Sequence, residues 1–177
     1  RHLTEKDSQE LSVLLHCIGD FERISDHAIN IMEAAQEMHN KKLTFSPKAE
    51  EELKVFSRAV QDIVEKAYAV FRDQDEKLAQ KVEPLEAVVD DLNQEVKKRH
   101  IRRLRNGKCT IELGFILSDI TTSLERVADH CSNIAVCVTQ VRDDTYDTHG
   151  YLNSVKNEDS EIFRGLVLEA EEKYLLP

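Results

Sequence analysis

Two eleven-residue stretches of this chain carry the same polar residues at the same spacing. Phe21-Glu22-Arg23-Ile24-Ser25-Asp26-His27-Ala28-Ile29-Asn30-Ile31 recurs 103 positions downstream as Leu124-Glu125-Arg126-Val127-Ala128-Asp129-His130-Cys131-Ser132-Asn133-Ile134. Glu-Arg, Asp-His and Asn-Ile coincide, six identities in eleven positions, which is more than helical sequence yields by chance. On a helix, at ~100° per residue, Glu22 and Asp26 stand one turn apart and ~40° around, on one face. Leu11, Leu15, Ile18 and Ile29 project within about 40° of Glu22, so two carboxylates share the stripe that should face neighbouring helices. Like charges so placed repel, and burying an unpaired carboxylate is costly. Cations would neutralise them, because hard oxygen donors one turn apart on facing helices are how bundles hold multinuclear metal sites. In the competing reading, Glu-Arg and Asp-His are surface ion pairs on a solvated face. A motif that occurs twice inside apolar stripes favours metal.

Other polar residues have weaker signals. His27 and His130 lie ~140° around from their glutamates, an angle that suits helix packing or support of a ligand better than a shared metal. Asp119, His16 and Asp20 lie upstream on the motif helices as candidate outer ligands. Glu86-x-x-x-Asp90 repeats the acidic spacing, but it flanks a Leu/Val seam, where charged residues are routine.

These residues need long helices to hold them. Thr4-x-x-Asp7 supplies a cap and an early acid for a first helix, which should run to Met38 or His39 and end at Asn40-Lys41-Lys42. Ser46-Pro47 opens a second, with Ser as cap and Pro at the first helical position. Its apolar residues, from Ala49 through Leu53, Phe56, Val60, Ile63 and Ala67 to Val70, alternate four and three apart, as in a bundle seam. After a turn at Asp73-Gln74-Asp75, Leu78, Val82, Leu85, Val89, Leu92 and Val96 predict a third helix. Pro84 should bend it or mark its true start. Asn106-Gly107 ends that helix, and a fourth runs from about Thr110 to Val141. Residues 142–155 read as a polar linker, and a short acidic helix from about Asn157 to Tyr174 follows. With no sheet to cover them, the helices must cover one another, which predicts an all-α antiparallel up-and-down bundle.

Composition agrees and narrows function. Five Gly and three Pro in 177 residues are too few for a barrel or sandwich. Lys plus Arg is 24 against 34 Asp plus Glu, a net charge of −10 that repels nucleic-acid phosphates and anionic lipid. Trp is absent, so stacking platforms for bases are lacking too. Cys17, Cys109, Cys131 and Cys137 form no CxxC pair and read as single helical thiols. No apolar run reaches the ~18–20 residues of a membrane span. A chain opening on Arg1, already close to a helix start, reads as a piece cut from a longer protein.

The paired motif closely resembles the signature of the PhoU family, whose two three-helix repeats each end in a helix of the Leu-Glu-Arg-Ile-Gly-Asp-His-x-x-Asn-Ile type. The resemblance covers roughly residues 5–140. Ser25 and Ala128 stand where the family has Gly, and the first repeat is represented only by its last helix. It implies a PhoU-like bundle over residues 1–141, with 1–40 closing a partial first repeat and 46–141 forming a complete second, then residues 142–177 as linker and terminal helix. It implies metal-ligand roles for Glu22, Asp26, Glu125 and Asp129, and for Glu86 and Asp90 in the family's second-helix pattern. The implied cofactor is a multinuclear cluster of iron or zinc; Mg and Mn also suit oxygen-rich sites.

The tail ending Tyr174-Leu175-Leu176-Pro177 is similar to the C-termini of bacterial sodium/phosphate cotransporter family proteins, in which a membrane transporter domain precedes a cytosolic PhoU-like one. That resemblance implies a non-catalytic, metal-binding regulatory or sensory domain that modulates phosphate uptake. It would lie at the cytoplasmic face of the membrane, with the transporter domain of the same polypeptide as partner. Apolar seam residues left uncovered by the missing half-repeat imply a homo-oligomer. Two other classes compete. A carboxylate-bridged dimetal oxidase would use Glu-x-x-His pairs, and this chain has none. A purely structural coiled-coil adaptor would leave the acids solvated. No Gly-rich phosphate loop or GxSxG motif suggests a hydrolase.

Overall fold

The computed structural model describes residues 3–140 and 160–177, and among them all regular structure is helical. The elements are α1 (Glu5–Lys41), α2 (Pro47–Asp73), α3 (Glu76–Ala79), α4 (Val82–Arg105), α5 (Ile111–Gln140) and α6 (Ser160–Lys173). Val141, the 142–155 linker and the expected helix start at Asn157 lie outside the described residues.

Local chemistry sets most boundaries. Thr4 and Asp7 form a reciprocal capping box at the start of α1, and Lys42 ends it in the left-handed conformation at φ 53°. Ser46 caps α2 through the Ala49 N–H, with Pro47 at the first helical position, where its missing donor costs nothing. Gln74 closes α2 at φ 54°, and Gly107 turns the chain out of α4 at φ 64°, where a Cβ would be strained. Thr110 accepts from the Leu113 N–H as α5 begins.

The third seam differs from a single long helix. The chain makes one turn, α3, breaks at Gln80-Lys81 and restarts as α4 at Val82. Pro84 accounts for the break. Placed at the third residue of α4, it falls among first-turn N–H groups that have no carbonyl to bond, whereas a continuous helix would have lost a ladder bond there.

The core is a three-helix unit of α2, α4 and α5. Phe56, Ile63 and Val70 on α2, Val82, Val89 and Val96 on α4, and Leu117, Cys131 and Val138 on α5 are at most 1% exposed. Within each helix these positions fall seven residues apart or a multiple of seven, the period that keeps one seam facing its partners over several turns. Each such side chain contributes about 1.5–3 kcal/mol by leaving water. Glu52 reaches Arg99 and Arg103, and Glu83 meets Ser132, so α4 runs antiparallel to both α2 and α5. The antiparallel up-and-down bundle is therefore the observed architecture.

Helix α1 packs along α5 and reaches α2 through an edge-to-face contact between Phe21 and Phe71, ring centroids 5.1 Å apart. Helix α6 lies against α4, with the Tyr174 hydroxyl donating to Asp62 of α2 at 2.7 Å. No described helix is long and apolar enough to cross a membrane.

Candidate metal centre

Helix α5 turns Glu125 and Asp129 toward the first half of α4, where Glu86 and Asp90 face them; all four are half-buried. One carboxylate oxygen each from Glu86, Asp90 and Asp129 lies within 4.8 Å of the others. Oxygens that close on three chains of side-chain carbon can share a single cation, or bridge two.

The local field matches that crowding. Burial, then the charges of Glu125, Asp129, Asp91 and Glu83, pushes the Asp90 carboxyl above its usual value. Burial and Glu125 push Asp129 up as well, against the opposing pull of Arg126 and His130. One exposed guanidinium, Arg126, stands 3.6 Å from Asp129. That contact is too solvated to balance the cluster.

A further carboxylate, Glu83, acts through its charge on Asp90 and Asp129 and is missed by spacing arguments that stop at four-residue pairs. Glu83 is 8% exposed and accepts a 2.6 Å hydrogen bond from the Ser132 hydroxyl. Glu83, Glu86 and Asp90 are three and four residues apart, so they line one face of α4 within about 60°. Pro84, by suggesting a kink between them, hides that register. Ser132 falls inside the second motif copy, and its hydroxyl holds one oxygen of Glu83.

The first motif copy has different surroundings. Glu22 and Asp26 are exposed on the side of α1 away from α5, and no described helix brings carboxylates to them. Leu11, Leu14, Leu15, Ile18, Ile29 and Met32 are exposed with them, between 44% and 63%. The structure thus brings Glu86, Asp90 and Asp129 together, places Glu125 near enough for its charge to act on Asp90 and Asp129, and leaves Glu22 and Asp26 apart.

The motif histidines pack against each other. His27 and His130 stack with ring centroids 5.7 Å apart, between α1 and α5. His130 Nδ1 is 2.9 Å from Asp20 Oδ1, and Asn133 donates to the same oxygen at 3.4 Å. Asp20 therefore orients a motif histidine. His16 Nδ1 bonds its own helix at Ser12 O, 2.8 Å away. Asp119 borders an open cleft of about 440 Å³ with His27, Glu33 and Glu37.

Comparison with known proteins bears on the same segment. The PhoU domain family model matches residues 53–138, a span that holds Glu83, Glu86, Asp90, Glu125 and Asp129 but neither Glu22 nor Asp26. Over 129 residues the chain is 28% identical to the phosphate-specific transport system accessory protein PhoU homolog 1 of Thermotoga maritima. That alignment covers 73% of this chain and 55% of the relative, so the chain spans about half the length of the curated protein it matches. No solved structure matches significantly.

Proposed function

We propose that this chain is a PhoU-type regulatory domain that binds metal between α4 and α5 and modulates phosphate uptake without catalysing a reaction. The observation that carries the proposal is the carboxylate cluster of Glu86, Asp90 and Asp129, within 4.8 Å, inside the segment that the PhoU domain model matches. Glu125 and Glu83 add two more oxygen donors beside it. The donor set is all oxygen, which fits hard cations. Of the two metals the resemblance implies, iron suits such a set better than zinc, which takes nitrogen and sulfur as readily; Mg and Mn fit on the same ground. Bound metal would neutralise the neighbouring carboxylate charge that, after burial, raises Asp90 and Asp129, and would tie α4 to α5.

In this reading the partner is a sodium-dependent phosphate transporter domain on the same polypeptide, at the cytoplasmic face of the membrane. The name of the Thermotoga maritima relative, an accessory protein of a phosphate-specific transport system, supports the link to phosphate. The cluster itself favours this over a solvated coiled-coil adaptor, because its carboxylates are half-buried and crowded. A dimetal oxidase finds less support, since no histidine joins the cluster among the described residues.

Elemental analysis of protein purified without chelator or a His tag tests the proposal. Stoichiometric metal that disappears in a Glu125→Gln/Asp129→Asn variant is expected. Metal content unchanged by that variant would refute the site.

A further inference from the structure

The end of the bundle opposite the carboxylate cluster gathers positive charge. Asp90 and Arg102 are both on α4, twelve residues and therefore ~18 Å apart along its axis. At the far end, Lys48, Arg99, Arg102, Arg103 and Lys108 border an open pocket of about 710 Å³. Among the described residues its acids are Glu52, Glu95 and the Pro177 terminal carboxylate, so five cations and three carboxylates leave a local charge of +2 in a chain whose side chains sum to −10.

The two side-chain acids are committed to holding the guanidiniums. Glu52 is 1% exposed and accepts from Arg103 Nη1 and Nη2 at 3.1 and 2.8 Å and from Arg99 Nη1 at 3.4 Å. Glu95 accepts from Arg99 Nε at 3.0 Å. Lys48, Arg102 and Lys108 have no ion-pair partner among the described residues, so their charge faces the pocket uncompensated. Lys48 also sits in the first turn of the 27-residue helix α2, whose dipole favours an anion. Arg99 Nη1 donates in addition to the backbone oxygen of Pro177 at 2.6 Å. In the 177-residue chain that oxygen belongs to the terminal carboxylate, so a bound anion would have to displace it from Arg99.

Size and lining narrow the ligand. The pocket is far larger than one phosphate group requires and falls in the range of small-molecule sites. No aromatic side chain lines it among the described residues, so a nucleobase has nothing to stack on. We propose that this pocket binds a short inorganic phosphate chain, of which pyrophosphate is the simplest, with orthophosphate a weaker ligand. Separate cations would take separate phosphate groups. The proposal does not depend on the metal site at the other end of the bundle.

Calorimetric titration of the 177-residue chain tests it, in low-salt buffer after passage over a chelating resin, so that no metal mediates binding. Pyrophosphate, orthophosphate and sulfate are the probes. Pyrophosphate should bind at one site per chain, tighter than orthophosphate or sulfate, and weaken as salt rises. Lys48→Ala/Arg102→Ala, both exposed positions, should weaken it at least 10-fold with the melting temperature unchanged. Lys108→Ala should weaken it less, and serves as the second probe should the double variant misfold. Absence of pyrophosphate binding, equal affinity for sulfate, or affinity unaltered in folded variants would overturn the proposal.

Discussion

Replacing Asp129 by Asn keeps the side-chain shape and removes one charge from the carboxylate cluster. Two unit charges at the 4.8 Å limit of the Glu86–Asp90–Asp129 group repel by about 3 kcal/mol at an effective dielectric constant of about 20. Asp129 is 36% exposed, so solvent screening reduces that figure substantially. Its loss also removes the Arg126 contact at 3.6 Å, an exposed i,i+3 pair worth about 0.3–0.5 kcal/mol. The balance favours the variant. Without metal, Asp129→Asn should be about 1 kcal/mol more stable than wild type, which for a domain of this size raises the melting temperature by about 2–4 °C.

Metal reverses the order. At a free concentration of 100 times the dissociation constant, bound ion stabilises wild type by about 2.7 kcal/mol, or roughly 5–10 °C. The variant should lose most of that gain. The pH response supplies a second signature. Asp90 and Asp129 have folded values above the ordinary carboxylate value, so as pH falls the native state takes up protons before the unfolded chain does. Metal-free wild type should therefore gain stability from these two groups as pH falls through their raised values toward the unfolded value, and lose it as pH rises. With metal the sign inverts, since protonated carboxylates are poor ligands. Differential scanning fluorimetry with and without Fe, Zn, Mn or Mg, from pH 4.5 to 7.5, reads both effects. A metal-free Asp129→Asn protein less stable than wild type, together with equal metal shifts in both, refutes the reasoning.

Four other outcomes follow from the structure. Glu22→Gln/Asp26→Asn should leave metal-dependent stabilisation at the α4–α5 cluster intact, as read by the same thermal shift, because no described helix faces those acids. Glu52→Ala should cost about 3–5 kcal/mol in urea unfolding, since it strands Arg103, 14% exposed, as an uncompensated buried charge. Burial pushes Asp62 up, but hydrogen bonds from Lys66, Tyr174 and Lys173 outweigh it and hold its pKa at about 2. The Asp62 contribution is therefore complete above the unfolded value of 3.8 and lost as pH falls toward 2, and Tyr174→Phe should shrink that acid-side loss in an acid unfolding titration. The apolar outer face of α1 should pair with a second copy of the chain, giving a dimer in sedimentation equilibrium at micromolar concentrations. Ile18→Glu should shift that equilibrium to monomer, and a wild-type monomer would contradict it.

Sequence alone revealed the elements better than their joints. The caps at Thr4 and Ser46 act through hydrogen bonds to residues three positions on, so they are legible locally. The seams of α2 and α4 are equally legible, because a seven-residue apolar period has no other use in a soluble helix. The break between α3 and α4 was harder, since the apolar period runs through it from Leu78 to Val82 while Pro84 alone argues for a boundary. Burial of Glu83 could not be read at all. It depends on a hydroxyl 49 residues away, on Ser132, and no local pattern encodes a bond of that separation. The basic pocket was hidden for the same reason: Lys48, Arg99 and Lys108 meet only because α2 and α4 run antiparallel.

The two copies of the motif share their sequence but not their surroundings, and this separates two jobs that one helix can do. One side of each copy builds the contact between α1 and α5: Ile24 is half-buried and Val127 buried, and His27 stacks on His130. Both copies satisfy that side within this chain. The other side presents Glu and Asp one turn apart, and only α4 answers it, with Glu83, Glu86 and Asp90 opposite Glu125 and Asp129. The positions flanking the acids follow the same division. Leu117 and Ser132 on α5 are 1% and 8% exposed under the neighbouring helices, whereas Leu14 and Ile29, the matching positions on α1, are each 47% exposed. Repetition of the motif therefore specifies a face that requires a partner helix, and the partner's own acids, rather than the motif alone, create the crowding of carboxylates that would attract metal.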